Sequence, residues 1–382
     1  MQIHRLQLTD FRSYARLDWR PGGRLAVISG LNGSGKTNLL EAVSLLQPGR
    51  GLRAARFAEL ARHGAEASGR WAAAADITCA GTAWTIGTGT PPDGTADRRA
   101  FLLDGVPPAN QAEIAAVAGT VWLTPQMDRL FQEPASGRRR FLDRLTWALD
   151  PGHARQVSAY ETALSGRNRL LAEGGADRAW LAGLEDAMAR HGVAVAAARR
   201  ALLGGLSGAL AEGLGSFPRP AATLACPLAE RLATDSALVV EDWFRGVLHD
   251  GRARDAGAGA TLVGPHRADL LLADAATGRP AALASTGQQK ALLVALILGH
   301  ARLVGEARGA PPLLLLDEPA VHLDAALRAA LFAALADGAA QALLTGTDAD
   351  AFAPLRGRAL GFVADAGGLQ PDPWFSAAEP VF

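Results

Sequence analysis

Lysine is almost missing from this 382-residue chain: only Lys36 and Lys290 occur, and the other 36 of its 38 basic residues are arginine. Cysteine is equally scarce. Cys79 and Cys226 stand far apart, which excludes a disulfide framework and a Cys-x-x-Cys zinc site. Net charge is also absent, because 38 acidic residues balance the 38 basic ones, so no global basic field advertises a polyanionic partner. No apolar run reaches the roughly 18 residues of a membrane span. The start, MQIHRLQLTDFRSY, lacks the basic-then-apolar pattern of a secretory signal, and a cytoplasmic protein without membrane contact is expected. What remains is an ordinary globular composition, 49% apolar and 20% charged, which excludes disorder. The length suggests about two domains. Arginine in place of lysine, together with the alanine-rich composition, reads as coding bias rather than physical need.

The chain changes texture along its length. Strands are predicted at Ile3 to Leu8, Leu25 to Ser29, Trp71 to Thr78, Ala83 to Gly87, Arg99 to Leu103 and Thr120 to Leu123, separated by Gly, Pro and Asp turns. After Ser136 the apolar residues fall at helical spacing for roughly a hundred residues. Breaks are predicted at Gly174 to Gly175, Gly204 to Gly205 and Pro218 to Pro220, so no sustained heptads and no long coiled coil form. From about Ala260 the stretches TLVGP and ADLLLADA, a helix from Gln288 to about Val304, and strands at Leu313 to Leu316, Ala342 to Leu344 and Ala359 to Val363 restore an α/β alternation. Near-continuous apolar strands between helices indicate a parallel sheet covered on both faces. The expected division is a head in two parts, residues 1–124 and 259–382, around a mainly helical arm at 125–258.

Chemistry is written at three places. Gly30, Leu31, Asn32, Gly33, Ser34, Gly35, Lys36 and Thr37 match Gly-x-x-x-x-Gly-Lys-Thr between the strand RLAVIS and a helix opening at NLLEAVSLL. In such a loop the glycines let backbone amides wrap phosphates, Lys36 neutralises the β and γ oxygens, and Thr37 offers its hydroxyl to Mg²⁺. Four leucines in PPLLLLDEP form a buried strand that delivers Asp317 and Glu318 to its carboxyl end, the edge where open α/β sheets bind ligands. Asp317 suits Mg²⁺, and Glu318 suits orienting or deprotonating an attacking water. Between them, Ser285 and Gly287 start a strongly apolar helix. Alone this is an N-cap; after a phosphate loop and before LLLLDEP it also suits a second anion-binding end.

These segments, with IHRLQLTDFRSY, PASGRRRFLD, VGPHRADL, STGQQK and LLLLDEPAVHLD in that order, resemble the ABC-type ATPases of the SMC and Rad50 class. Within that class the resemblance is to the RecF family of bacterial recombination mediators. It implies an ABC-type P-loop ATPase head with a helical inserted arm, and ATP with Mg²⁺ held by Lys36, Thr37 and Asp317. It also implies Glu318 as hydrolytic base, with Ser285, Gly287 and Gln288 reaching the γ-phosphate held by a second subunit, so that ATP joins a homodimer. Asp324 would end a segment crossing that dimer. Gln126 would sense Mg²⁺ and the attacking water, although the family commonly places an acidic residue there. A switch histidine is replaced by TGTD, leaving Thr345 or Thr347 as the substitute. The implied activity is weak ATP hydrolysis as a conformational switch. The implied role is recombinational repair, replication restart and SOS induction, with RecR, RecO and indirectly RecA as partners.

The resemblance implies double-stranded DNA and single/double-strand junctions as ligands. A neutral chain with pI near 7.1 must then rely on local clusters. Candidates are Arg98 and Arg99, Arg199 and Arg200, Arg252 with Arg254, and above all Arg138, Arg139 and Arg140 in the family-like GRRRFLD segment. Two other readings remain at this stage: an ABC-type ATPase energising a transporter, and a nuclease-linked ATPase. The 248 positions between Thr37 and Ser285 exceed what a compact transport head uses, and the 58 residues after Asp324 are few for a nuclease domain.

Overall fold

The computed structural model describes residues 1–62, 64, 69–95, 97–174, 177–211, 213, 215–365 and 367–376. The chain divides into two compact units. One comprises Met1–Asp128, Gly213–Pro218 and Ser285–Phe382, and the other Arg129–Glu212 and Arg219–Ala284.

The first unit contains two sheets. Strands β1 (Gln2–Phe11), β2 (Tyr14–Trp19), β3 (Leu25–Ser29), β4 (Ala72–Cys79), β5 (Thr82–Gly89), β6 (Ala100–Leu103) and β7 (Thr120–Leu123) come before the arm, with helices α1 (Lys36–Ser44) and α2 (Gln111–Val117) between them. β1, β2, β4, β5 and β6 form a five-stranded antiparallel sheet in the order β2-β1-β4-β5-β6. In β1 buried and exposed residues largely alternate, as a strand with one wet face requires.

The second unit carries helices α3 (Ala135–Leu149), α4 (His153–Ala172), α5 (Arg178–Leu210), α6 (Pro227–Arg231), α7 (Ala237–Asp250) and α8 (Arg252–Ala258). Strands β8 (Pro220–Ala225) and β9 (Asp269–Asp274) pair antiparallel there. This corrects the expectation for residues 259–284. The sequence pattern places VGPHRADL and ADLLLADA in the returning head, but TLVGP forms no strand and ADLLLADA supplies β9, whose partner lies in the same unit. The return to the first unit comes at Ser285.

A second correction concerns Gly204 and Gly205, which do not break α5. Interior glycine costs a helix only about 1 kcal/mol. Here Leu202, Leu203, Leu206 and Leu210 around the pair are buried, so tertiary packing holds the helix through it. Of the break expected at 174–175, Gly174 does lie past the end of α4, and Gly175 falls outside the described residues. Length and composition alone would let α5 cross a membrane. Its buried face, however, carries Glu185 and Arg199, both ion-paired within the unit, as a core helix would.

After the arm the first unit resumes with α9 (Thr286–Arg308), β10 (Leu313–Leu316), α10 (Ala325–Asp337), β11 (Ala342–Gly346), β12 (Leu360–Asp365) and β13 (Gly368–Asp372). The second sheet has the order β13-β12-β3-β11-β10-β7 and is parallel except for the edge strand β13. Its central strands are buried on both faces, which is why they read as unbroken apolar runs. One core joins the two sheets through α1. Leu6, Leu8, Ile77 and Ile86 share it with Leu39, Val43, Ile28, Leu315 and Leu343.

In the second unit a wholly buried arginine, Arg167, connects three helices. It donates to Glu185 on α5 at 3.0 Å, to Asp255 on α8 at 2.8 Å, to Thr261 at 2.7 Å and to the Leu248 carbonyl of α7 at 2.6 Å. Removing one member of a buried ion network strands the others without solvent and costs about 3–5 kcal/mol. Arg167→Met is therefore expected to destabilise the second unit by about that amount, read as a lower urea midpoint for that unit.

Candidate ATP site

Parallel strands place their carboxyl ends along one edge, and the phosphate-facing segments all leave from it. The loop after β3 runs into α1, Asp317 and Glu318 follow β10, Thr345 lies in the last residues of β11, and the turn Pro125–Arg129 follows β7. Register ties them together: Leu316 pairs with Leu123 and Leu344, and the Asp317 amide donates to the Leu123 carbonyl at 2.9 Å.

The loop geometry depends on glycine at two close approaches. Gly30 has φ 144°, and a Cβ there would lie 2.6 Å from the Ala364 carbonyl oxygen. Gly35 has φ 103°, and a Cβ would lie 2.6 Å from Ser13 Oγ. Any larger residue would push the loop off β12 or off the β1–β2 turn. Tyr14 donates its hydroxyl to the Gly35 carbonyl at 3.1 Å, and Asn38 donates to Ser13 Oγ at 3.0 Å. The DFRSY segment, important to the resemblance, thus buttresses the loop from below. Arg12 adds a two-pronged pair to the buried Glu41 on α1, at 2.9 and 3.0 Å.

Lys36 is buried, and its ammonium donates to the carbonyls of Gly30 and Leu31 at 2.7 and 2.8 Å. Burial pushes its pKa down, opposed by the nearby carboxylates of Glu318 and Asp317. Ser34 Oγ is buried with no hydrogen-bond partner, an acceptor and donor left over inside a loop of amides. These features fit a polyphosphate. A hard divalent cation fits as well, because the Thr37 hydroxyl lies 3.0 Å from Asp317 Oδ1 and both donors are oxygen.

Asp317, only 4% exposed, also accepts from the Thr345 hydroxyl at 2.6 Å, and that hydroxyl accepts from the Glu318 amide at 3.1 Å. Of the two threonines offered by TGTD, Thr345 is therefore the one facing the acidic pair, whereas Thr347 is exposed. Glu318 holds φ 51°, a strained conformation for a non-glycine residue of the sort that clusters at working sites.

Ser285 caps α9. Its hydroxyl accepts from the Gln288 amide at 3.3 Å, and the Gln288 side chain accepts from the Ser285 amide at 3.1 Å. Both side chains are exposed, and Gly287 lies so close to the loop after Glu318 that a Cβ would sit 2.9 Å from the His322 carbonyl. Asp324 caps α10 by accepting from the Leu327 amide at 2.8 Å. Gln126 is exposed on the turn after β7. On the same turn, Asp128 accepts from Lys290 at 2.8 and 3.0 Å. Sequence reasoning missed this pair, since 162 positions separate its members.

The arginine clusters divide in a regular way. Arg138 makes a two-pronged pair with Asp269 and Arg139 donates to the Ala268 carbonyl, while Arg140 is exposed. Arg199 is likewise taken by Asp143 and Arg252 by Glu185, while their neighbours Arg200 and Arg254 are exposed. Arg99 lies over the rings of Phe57 and Phe101 at 5.0 and 4.4 Å, and burial pushes its pKa down to about 10; Arg98 is exposed.

The family described as RecF/RecN/SMC N terminal domain matches residues 2–355. The DNA replication and repair protein RecF of Mesorhizobium japonicum is 47% identical over 374 residues, covering 97% of each chain. RecF of Brucella suis is 46% identical over 372 residues, covering 97% of this chain and 96% of its own. A solved structure described as the recombination mediator protein RecF-ATP in the RecFOR pathway shares the fold, with a TM-score of 0.80 at 22% identity and 97% of each chain covered. The chain thus belongs to the RecF/RecN/SMC class of ATPase heads and, within it, to the RecF family. This favours repair over the transporter and nuclease-linked readings.

Two substitutions test the geometry. Thr345→Val leaves the Glu318 amide without its acceptor and Asp317 Oδ1 with only the Thr37 hydroxyl, a loss of about 1–3 kcal/mol. It is expected to lower phosphate release by about tenfold or more, whereas Thr347→Val leaves release near the parent rate.

Proposed function

We propose that this chain is an ATP-operated DNA clamp of recombinational repair. The observation that carries the reading is the meeting of Thr37, Asp317 and Thr345 at one strand edge, with Glu318 adjacent and the phosphate loop above α1. That is the oxygen set needed to bind a nucleoside triphosphate and hydrolyse it. The family membership and the names of the relatives support repair as the setting.

In this reading Lys36 and the loop amides hold the β- and γ-phosphates. Thr37 and Asp317 hold Mg²⁺, which supplies positive charge to the phosphate oxygens. Glu318 orients a water and takes its proton as the oxygen attacks the γ-phosphorus and ADP leaves. Thr345 fixes the acidic pair from behind. Ser285, Gly287 and Gln288 of a second copy complete each site, so ATP closes a homodimer and slow hydrolysis reopens it. Gln126 contacts the attacking water, and the segment ending at Asp324 crosses the dimer.

Closing the dimer brings duplicate arginine patches, including Arg140, onto one DNA-binding surface and roughly doubles the phosphate contacts of a neutral chain. The ligand is duplex DNA near a single-strand junction. The clamp acts in the cytoplasm with RecR and RecO to place RecA on gapped DNA, and so supports replication restart and the SOS response.

Glu318→Gln tests the hydrolytic arm. It is expected to bind ATP, to lose on the order of 10²–10⁴-fold in turnover, and to accumulate as a nucleotide-bound dimer in light scattering. A monomer at saturating ATP contradicts the sandwich. Lys36→Ala is expected to abolish ATP binding in equilibrium dialysis; retained binding removes Lys36 from the site.

A further inference from the structure

We infer that Lys290 is a positioning residue: its ion pair with Asp128 couples the turn beside the hydrolytic carboxylates to the signature end of α9. The inference rests on the ATP-dimer reading above. The chain's two lysines both lie on nucleotide-facing segments, but they differ in what they touch. Lys36 lies in the phosphate loop, whereas Lys290 is 0% exposed and bonds both oxygens of Asp128, which is itself largely buried.

Asp128 belongs to the turn Pro125–Arg129. That turn begins just after Leu123, whose carbonyl accepts from the Asp317 amide. Lys290 stands about one helical turn beyond Thr286, the first residue of α9, and a helical side chain points back toward the start of its helix. The pair therefore grips the first turn of α9. A second grip comes from the other acidic segment, where Gly287 lies against the His322 carbonyl, at a residue held at φ 67°. The signature is thus held between two segments, one that follows β7 and carries Asp128 and one that follows β10 and begins at Asp317.

A buried ion pair is a poor source of stability, since an apolar pair of similar volume often does as well. Its use is registry: a directional contact that allows one arrangement of two elements and penalises others. Here it makes any shift of the 125–129 turn, which carries Gln126, felt at Ser285 to Gln288. One head's nucleotide state then sets how well its signature fits the nucleotide of its partner.

The test compares Lys290→Met, Asp128→Asn and the double variant with their parent, all carrying Glu318→Gln so that ATP persists. Affinity for a fluorescent ATP analogue is measured on the dilute monomer, and ATP-dependent dimerisation by sedimentation velocity. Nucleotide affinity is expected to stay within about threefold of the parent while the dimer weakens about tenfold or more. The double variant should be no worse than the poorer single one, because both remove the same contact.

The inference is overturned if folded variants dimerise like the parent, or weaken only in proportion to lost nucleotide affinity. It is also overturned if circular dichroism shows every variant unfolded, since the pair is then merely structural. Should Lys290→Met alone fail to fold, Asp128→Asn decides. A parent that stays monomeric with ATP sinks the dimer reading, and this inference with it; a dimeric parent with unaffected variants sinks the inference alone.

Discussion

One buried carboxylate organises the nucleotide edge. Asp317 accepts hydroxyls from Thr37 on α1 and Thr345 on β11, and its own amide is fixed to β7 through the Leu123 carbonyl. Three strands and the phosphate-loop helix therefore converge on one residue that is almost inaccessible to water. A carboxylate so placed is costly unless a cation or strong donors compensate it. Two hydroxyls and the nearby Lys36 provide part of that compensation, and the same oxygens suit a divalent cation. The strained Glu318 follows directly, its amide held by the hydroxyl that Asp317 engages.

Much of this edge was legible in the sequence, for a physical reason. Strands buried on both faces show as continuous apolar runs bounded by turn residues, so the sequence limits of Leu25 to Ser29, Thr120 to Leu123 and Leu313 to Leu316 coincide with those of β3, β7 and β10. The site residues on their carboxyl ends came with them. What sequence could not show was register and distance. Thr345 and Thr347 are chemically equal, and only the end point of β11 decides that one is buried against Asp317 while the other faces solvent. The contact of Lys290 with Asp128 spans the whole arm, and no local pattern announces it.

The arm shows where local rules lose to packing. Gly204 and Gly205 carry a clear breaker signal, yet α5 continues because the leucines around them are buried. ADLLLADA reads as a strand and is one, but its identity as a head strand failed because a strand pattern does not name its partner; β8 takes it within the arm. The arginines follow the same logic. Arg199 is taken by Asp143 while its neighbour Arg200 is left exposed, and Arg138 is taken by Asp269 while Arg140, two positions on, is exposed. Overall neutrality thus coexists with exposed guanidinium groups at Arg98, Arg140 and Arg200, and in the proposed clamp two copies would gather them on one surface.

The central claim is that nucleotide assembles the DNA-binding surface, and particle mass and DNA affinity followed together across an ATP titration, at two salt concentrations, test it most directly. The account predicts that dimer mass and DNA affinity rise over the same ATP range, with a steeper salt dependence in the ATP state because more phosphate contacts release more counterions. Equal DNA affinity with and without ATP, at both salts, would contradict it.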